Sequence, residues 1–337
     1  MRAPILLALA TATAQGAFAQ APRHLNPMID LHAAGKPVLG LYAPANPRPR
    51  PPQAAAAGAA PVQPAASTPM PAQKSQAELA ADALAYTKAD FIFDGSMEHD
   101  FDRGYAGFVQ FMQAIASSGA VTKGSLAQLH HPLAVKMAKV GSDAALARTR
   151  IGKQLDQGVS TIVLVDVEDP AEITTAISAM RFAAKGGTRA ESVGGAPAVW
   201  GMDDKTYRAK ADVWPLNPQG ELTAWAIVES KEGLARVREI AKTPGVAVLF
   251  PGAGTLRGVF STVDPATQQR KFDTEAWENA IQQVLAACKE AKVPCGYPAN
   301  DPATVEQRMK QGFSVFIAGW GEPGFKAVEY GRQASGR

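Results

Sequence analysis

Short apolar runs alternate with amphipathic stretches along most of this chain. The runs are Lys36-Pro37-Val38-Leu39-Gly40-Leu41-Tyr42, Asp90-Phe91-Ile92-Phe93, Leu133–Met137, Thr161–Val165, Leu222–Val228, Val246–Phe250, Pro294–Tyr297 and Ser314–Ala318. After a short helical pattern from Leu25 to Ala34, helical spacing recurs over 76–86, 105–116, 144–155, 170–184, 232–241, 275–289 and 303–310. Pro170 stands where a first-turn proline is tolerated. Strands that are apolar along most of their length indicate a parallel sheet covered by helices. Eight such units predict an α/β fold, a (β/α)8 TIM barrel in a single domain; a doubly wound open sheet has the same periodicity. Either way, functional side chains belong just past the C-terminal strand ends.

Two stretches break the alternation. From Pro44 to Lys74 the chain is almost entirely Pro, Ala, Gly, Gln, Arg and Ser. This predicts a disordered, Pro/Ala-rich insertion after strand one, because such a segment lacks the apolar side chains that offset ordering entropy. A linker between domains would leave only one strand before it, too little to bury a core. The second stretch is Gly-rich and runs to Gly220; Trp200 and Trp214 predict an ordered excursion.

The N-terminus has Arg2, an apolar stretch from Ile5 to Ala14 and then Ala17-Phe18-Ala19, a small-x-small cleavage pattern. It predicts a signal peptide over 1–19, a barrel over 20–337 and a periplasmic or secreted protein. No later run is long and apolar enough to span a bilayer, so no membrane span is expected after signal removal. Export would permit Cys288 and Cys295 to pair. However, Trp277, Ile281, Val284, Leu285 and Cys288 follow helical spacing, which favours a cysteine that simply packs.

Composition adds an exclusion. The net charge of +3 comes from 34 basic and 31 acidic side chains that are interspersed, with no basic stripe to follow phosphates. Nucleic acid is not an expected partner.

The strand ends carry Asp94 with Glu98 and His99, then Lys136, Asp166, Glu229, the turn Pro251 to Gly258, and Trp320. Taken singly, such residues cap helices or are solvated charges; jointly they converge only if the sheet closes. Gly319-Trp320-Gly321-Glu322-Pro323-Gly324 fits a dinucleotide fingerprint, but too little chain follows for a βαβ unit. In a barrel, that loop can instead offer backbone N–H groups to a carboxylate or phosphate. His130-His131 precedes strand three, at the opposite rim, and reads as structural.

Met97-Glu98-His99, Ala134-Val135-Lys136, Ile151 to Gly158, Ala179-Met180-Arg181-Phe182, Val228 to Gly233 and Pro251-Gly252-Ala253-Gly254-Thr255-Leu256 occur in an order that resembles the HpcH/HpaI aldolase and citrate lyase family. The resemblance runs from about Val38 to Trp320. It implies a homo-oligomeric (β/α)8 lyase that makes or breaks carbon–carbon bonds beside a 2-oxo acid of the pyruvate type. It also implies a divalent metal, Mg2+, Mn2+ or Co2+, that stabilises the enolate. Carried over by position, Glu229 matches the metal glutamate and His99 the acid–base histidine. Lys136 takes the place of a substrate-binding arginine, and Gly252, Ala253, Gly254 and Trp320 would line the substrate. Thr255 stands where the family has its metal-binding aspartate, which weakens any metal site unless Asp166 replaces it; Asp166 reads equally as a helix cap. Lys136 supplies a point charge in place of a planar fork, which Arg257 would restore. These departures leave an alternative: a non-catalytic periplasmic carboxylate-binding barrel that has lost its metal. A scaffold tethered by the insertion rests on Pro44 to Lys74 alone.

Overall fold

The computed structural model describes residues 24–46, 72–118 and 128–337. The expected signal peptide and residues 47–71 of the expected insertion lie outside the described residues. Among the described residues the strands are, in chain order, β1 (Val38–Tyr42), β2 (Phe91–Asp94), β3 (Leu133–Met137), β4 (Thr161–Leu164), β5 (Val213–Trp214), β6 (Leu222–Val228), β7 (Val246–Pro251), β8 (Ser261–Val263), β9 (Arg270–Phe272), β10 (Gly296–Pro298) and β11 (Val315–Ala318). The main sheet runs β10-β11-β1-β2-β3-β4-β6, with β7 and the short β5 both paired to β6. Every pairing in it is parallel. A parallel bridge from Leu249 to Cys295 links β7 to the approach of β10. The eight long strands thus curl into a barrel-like sheet consistent with the (β/α)8 expectation.

Alternate side chains divide the core in two, because successive residues of a strand face opposite sides. Val38, Phe91, Phe93, Ala134, Val163, Trp225, Ile227 and Phe250 form the inner cluster. Their neighbours Leu39, Ile92, Val135, Ile162 and Leu249 pack outward under the helices. Phe91, Trp225 and Phe250 fill the interior as a row, with ring centroids 5.1 and 5.5 Å apart. Glycine makes room for them: a Cβ on Gly40 would lie 2.2 Å from the Phe91 ring, and one on Gly296 2.1 Å from the Phe250 ring. The helix Pro27–Ala33 plugs the N-terminal end, burying Met28 in the inner cluster. Asn26, its cap, fixes it there by donating from its backbone N–H to Glu221 Oε2 (3.0 Å) and from Nδ2 to the Glu221 carbonyl (3.2 Å).

The stretch before Gly220 is ordered, with helices Ala196–Val199 and Asp204–Lys210, and with Trp200 buried and donating to the Gly158 carbonyl (2.8 Å). The structure adds the short strand β5, the helix Ala253–Val259, the β8–β9 hairpin and the C-terminal helix Glu322–Ala334 to the expected elements, and it breaks the 232–241 helix into Lys231–Ala235 and Val237–Ala241. It also corrects the cysteine reading, since Cys288 and Cys295 are joined by a disulfide with Cα atoms 5.7 Å apart. The reason is local. The helix Thr274–Ala291 ends on Lys292 in the left-handed region (φ 58°), which turns the chain back over the last helical turn. Among the described residues no helix is long and apolar enough to cross a membrane.

Candidate active site

Strand parity determines which side chains reach the barrel mouth. Trp225 and Ile227 face inward, so Glu229 does too; Ala134 carries Lys136; Val38 carries Tyr42; Val248 and Phe250 carry Gly252. Gly95, two past Phe93, has the Lys136 Cδ and the Tyr42 ring each 3.8 Å and the Glu98 Oε2 3.9 Å from the place of a Cβ. Tyr42, Glu98 and Lys136 therefore meet around Gly95. The ring of Tyr42 stands edge-on to Phe93 at 5.0 Å. Burial raises its phenol pKa; the Lys136 ammonium opposes that rise, and the carboxylates of Glu98 and Glu229 add to it. One phenol thus feels all three charged groups.

Lys136 Nζ donates to both Glu98 oxygens, at 3.0 and 2.9 Å, with the two side chains only 14% and 18% exposed. The loop after β2 brings Glu98 there. Asp94 Oδ1 accepts from the backbone N–H (2.8 Å) and hydroxyl (2.6 Å) of Ser96, closing a tight turn. Asp100 then caps the helix Phe101–Ser117. Burial pushes the Asp94 carboxyl up, against the two Ser96 hydrogen bonds. Beneath the loop, Gln154 donates to the Lys136 carbonyl (3.2 Å) and to Met97 Sδ (3.8 Å), tying the loop to β3.

Glu229 is 7% exposed and, among the described residues, has no ion-pair partner; its Oε1 accepts the backbone N–H of Asp166 at 3.1 Å. Asp166 holds that N–H in place from the left-handed region (φ 47°). Its own carboxylate is engaged elsewhere, accepting from Lys139 Nζ at 2.8 Å, and Lys139 also pairs with Glu168 at 2.5 Å. Asp166 does not cap the following helix, a correction to its alternative reading. Asp169 does, in a capping box with Glu172, because it sits at the residue before Pro170.

The remaining expected residues are more dispersed. Thr255 is exposed on the short helix Ala253–Val259. Arg257 is also exposed, and its guanidinium lies 4.1 Å over the Phe272 ring of β9. Ala253 is buried, its carbonyl accepting from Trp277 Nε1 (2.9 Å), and Gly254 has open space around it. Trp320 packs edge-on against Tyr86 and Phe325. The Gly319 N–H of that loop is taken by Asn300 Oδ1 at 2.6 Å. His99 is exposed and borders a cleft of about 520 Å³ that Tyr42, Asp94, Glu98 and Arg103 also line. His130 and His131 stack at 4.4 Å ahead of β3, away from this rim. Sequence reasoning missed Tyr42, which strand parity from Val38 would have found, and Arg103, which nothing in the pattern marks.

The donors present do not fit a metal held by protein ligands. Glu229 is a buried carboxylate with no cation partner among the described residues, Thr255 is neutral and exposed, and Asp166 is paired with Lys139. Among the described residues no group of three or more His, Cys, Asp or Glu side chains is placed to bind a metal ion.

A curled parallel sheet with Tyr42, Glu98, Lys136 and Glu229 at its C-terminal mouth has the design of a barrel enzyme whose site is built on strand ends. Residues 126–323 match the family described as HpcH/HpaI aldolase/citrate lyase, and the chain belongs to that family of aldolase-type lyases. It is 26% identical over 244 residues to a hydroxypyruvate/pyruvate aldolase of Paraburkholderia phytofirmans, covering 72% of this chain and 82% of that protein. It is 26% identical over 165 residues to a 2-dehydro-3,6-dideoxy-6-sulfogluconate aldolase of Pseudomonas putida, covering 48% and 58%. The fold is similar to that of an HpcH/HpaI family protein of Burkholderia cenocepacia, with a TM-score of 0.60 at 22% identity over 92% of this chain and 97% of that one.

Proposed function

We propose that this protein is an aldolase-type carbon–carbon lyase acting on a 2-oxo acid of the pyruvate type. The observation that carries the reading is the pairing of Lys136 with Glu98 at the inward mouth of the barrel, beside Tyr42 and the buried Glu229. Cleavage beside a 2-oxo group needs a cation for the substrate's negative charge, a base for the hydroxyl proton and a donor toward the oxygen where charge develops. Lys136 supplies the cation. Glu98, or His99 at the edge of the cleft, supplies the base, and the neutral phenol of Tyr42 supplies the donor. The names of the two curated relatives, a hydroxypyruvate/pyruvate aldolase and a 2-dehydro-3,6-dideoxy-6-sulfogluconate aldolase, support a 2-oxo acid substrate. We read the protein as a homo-oligomer acting in the periplasm or outside the cell.

Glu229 is the anionic side chain that would hold the dication the resemblance implies, so Mg2+, Mn2+ and Co2+ are variables of the test and not premises. Thr255 favours a second reading, a carboxylate-binding barrel without catalysis. Exchange of pyruvate methyl protons for deuterium, followed by NMR, separates the two, since it requires only enolisation and no aldehyde. Exchange with wild type supports the lyase. No exchange with any added metal, together with pyruvate binding, supports the binder.

A further inference from the structure

We propose that Arg103 is a specificity-determining residue, its guanidinium binding an anionic end group, a carboxylate or phosphate, on the aldehyde that the reaction releases or adds. The inference rests on the lyase reading and deepens it by naming the class of the second substrate. The cleft of about 520 Å³ is lined by Tyr42 and Glu98 of the barrel mouth and by Arg103 of the helix Phe101–Ser117. That volume exceeds what the three carbons of pyruvate need, since pockets of this size enclose ligands of many more atoms. The buried side chains of Leu79, Phe108 and Phe111 give the cleft an apolar wall, which suits a carbon chain.

Among the described residues, the titratable side chains that line this cleft besides Tyr42 are Asp94, Glu98, His99 and Arg103. Lys136 Nζ holds Glu98 at 2.9 Å, so the charge of that carboxylate is answered. Burial pushes the Asp94 carboxyl up, toward its neutral form. The guanidinium of Arg103 has no ion-pair partner among the described residues; the backbone N–H of the same residue donates to Asp100 Oδ1 at 3.1 Å, which caps the helix. The cleft therefore carries a positive charge without a counter-ion. Helix stability does not account for it, because Arg103 lies in the first turn, where the backbone dipole favours acids and disfavours a cation. Arginine suits an anionic end group, since its planar fork takes two oxygens of a carboxylate or phosphate at once. An aldehyde with its carbonyl beside Tyr42 and Glu98 then finds an apolar wall for its chain and a cation for its far end.

The test is the addition of pyruvate to matched aldehydes by the full chain, with Mg2+, Mn2+ or Co2+ supplied, followed by NMR beside methyl-proton exchange. Succinate semialdehyde is compared with butanal, and glyceraldehyde 3-phosphate with glyceraldehyde, so each pair isolates one anionic group. Wild type is expected to favour the charged member of at least one pair by roughly tenfold in kcat/KM, the scale of one charge-assisted hydrogen bond. The pair that shows the preference distinguishes carboxylate from phosphate. Arg103→Gln is expected to raise KM for that charged aldehyde by about tenfold with little change in kcat, and Arg103→Lys to keep part of the preference. Given methyl-proton exchange in wild type, three results overturn the proposal and leave the lyase reading standing: no preference in wild type, a preference that survives Arg103→Gln, or a loss in Arg103→Gln that falls equally on charged and neutral aldehydes. Exchange with no product from any of these aldehydes does the same. No exchange with any metal overturns both.

Discussion

Gly252 stands against Glu229 so closely that a Cβ on residue 252 would lie 2.3 Å from the glutamate Cβ and 2.4 Å from its Oε2. The backbone N–H of Gly252 also donates to the Val228 carbonyl at 2.9 Å, locking the ends of β6 and β7 together. The glutamate is thus pressed into the mouth by a neighbour that has no side chain. Conformational freedom is not the reason for glycine here, since residue 252 has an ordinary φ of −74°. Close approach is.

Gly252→Ala is therefore expected to displace the Glu229 carboxylate while leaving the barrel folded, since the clash is at the rim. Pyruvate exchange should fall by roughly 100-fold, as in removal of one positioned catalytic group. Glu229→Gln should lose a similar amount, because the amide keeps the shape and drops the charge. Both are checked by NMR exchange alongside circular dichroism. Full activity in Glu229→Gln would remove this residue from the site.

The interior glycines make a stability prediction. A methyl group at residue 296 would lie 2.1 Å from the Phe250 ring inside a filled barrel, and that ring also packs against Trp225. Gly296→Ala should cost about 1–3 kcal/mol through overpacking. Urea denaturation measures this, and an unchanged midpoint would show that the row of aromatic rings has slack.

Much of this architecture was legible because burial imposes period two on the strands. Ala134 and Val135 announce a strand buried on both faces, and the same rule sends Lys136, Glu229 and Tyr42 inward. What sequence could not supply was pairing. Nothing in the spacing says that Lys139 would engage Asp166, or that Glu98 would fold back onto Lys136, because both depend on where loops return. The hairpin of β8 and β9 escaped for another reason: Ser261-Thr262-Val263 and Arg270-Lys271-Phe272 are largely exposed, so burial left no signature there. The cysteine pair was missed because helical spacing explains Cys288 alone, whereas the disulfide depends on the turn at Lys292.

Asn46 and Lys74 make a third prediction. Asn46 Nδ2 donates to the Lys74 carbonyl and Lys74 N–H to Asn46 Oδ1, both at 2.7 Å, so the ends of the long excursion after β1 already meet. Replacing residues 47–71 by a short glycine–serine bridge should leave the melting temperature within a few degrees, since closing a loop of any moderate length costs little extra. A large drop would mean that the removed residues pack on the barrel.

The last prediction concerns acid. His32 stacks 6.1 Å from Trp214, and burial lowers its pKa to about 4. His131 is lowered to about 4 as well, by burial first and by the neighbouring His130 second, with a backbone carbonyl at Leu84 opposing. Both folded values lie below the unfolded value of 6.5, so between these limits the unfolded chain binds more protons than the folded one. The stability from keeping these rings neutral is present in full above pH 6.5 and is lost as pH falls toward 4. A shift of this size corresponds to roughly 3 kcal/mol per histidine once the window is crossed. Urea midpoints measured from pH 7 to 4.5 should therefore fall steadily. In the His32→Gln, His131→Gln double variant the profile should be much flatter, because glutamine keeps a polar side chain without titrating. A wild-type profile that is level down to pH 4.5, or a double variant as steep as wild type, would mean that these rings take up protons without unfolding the protein.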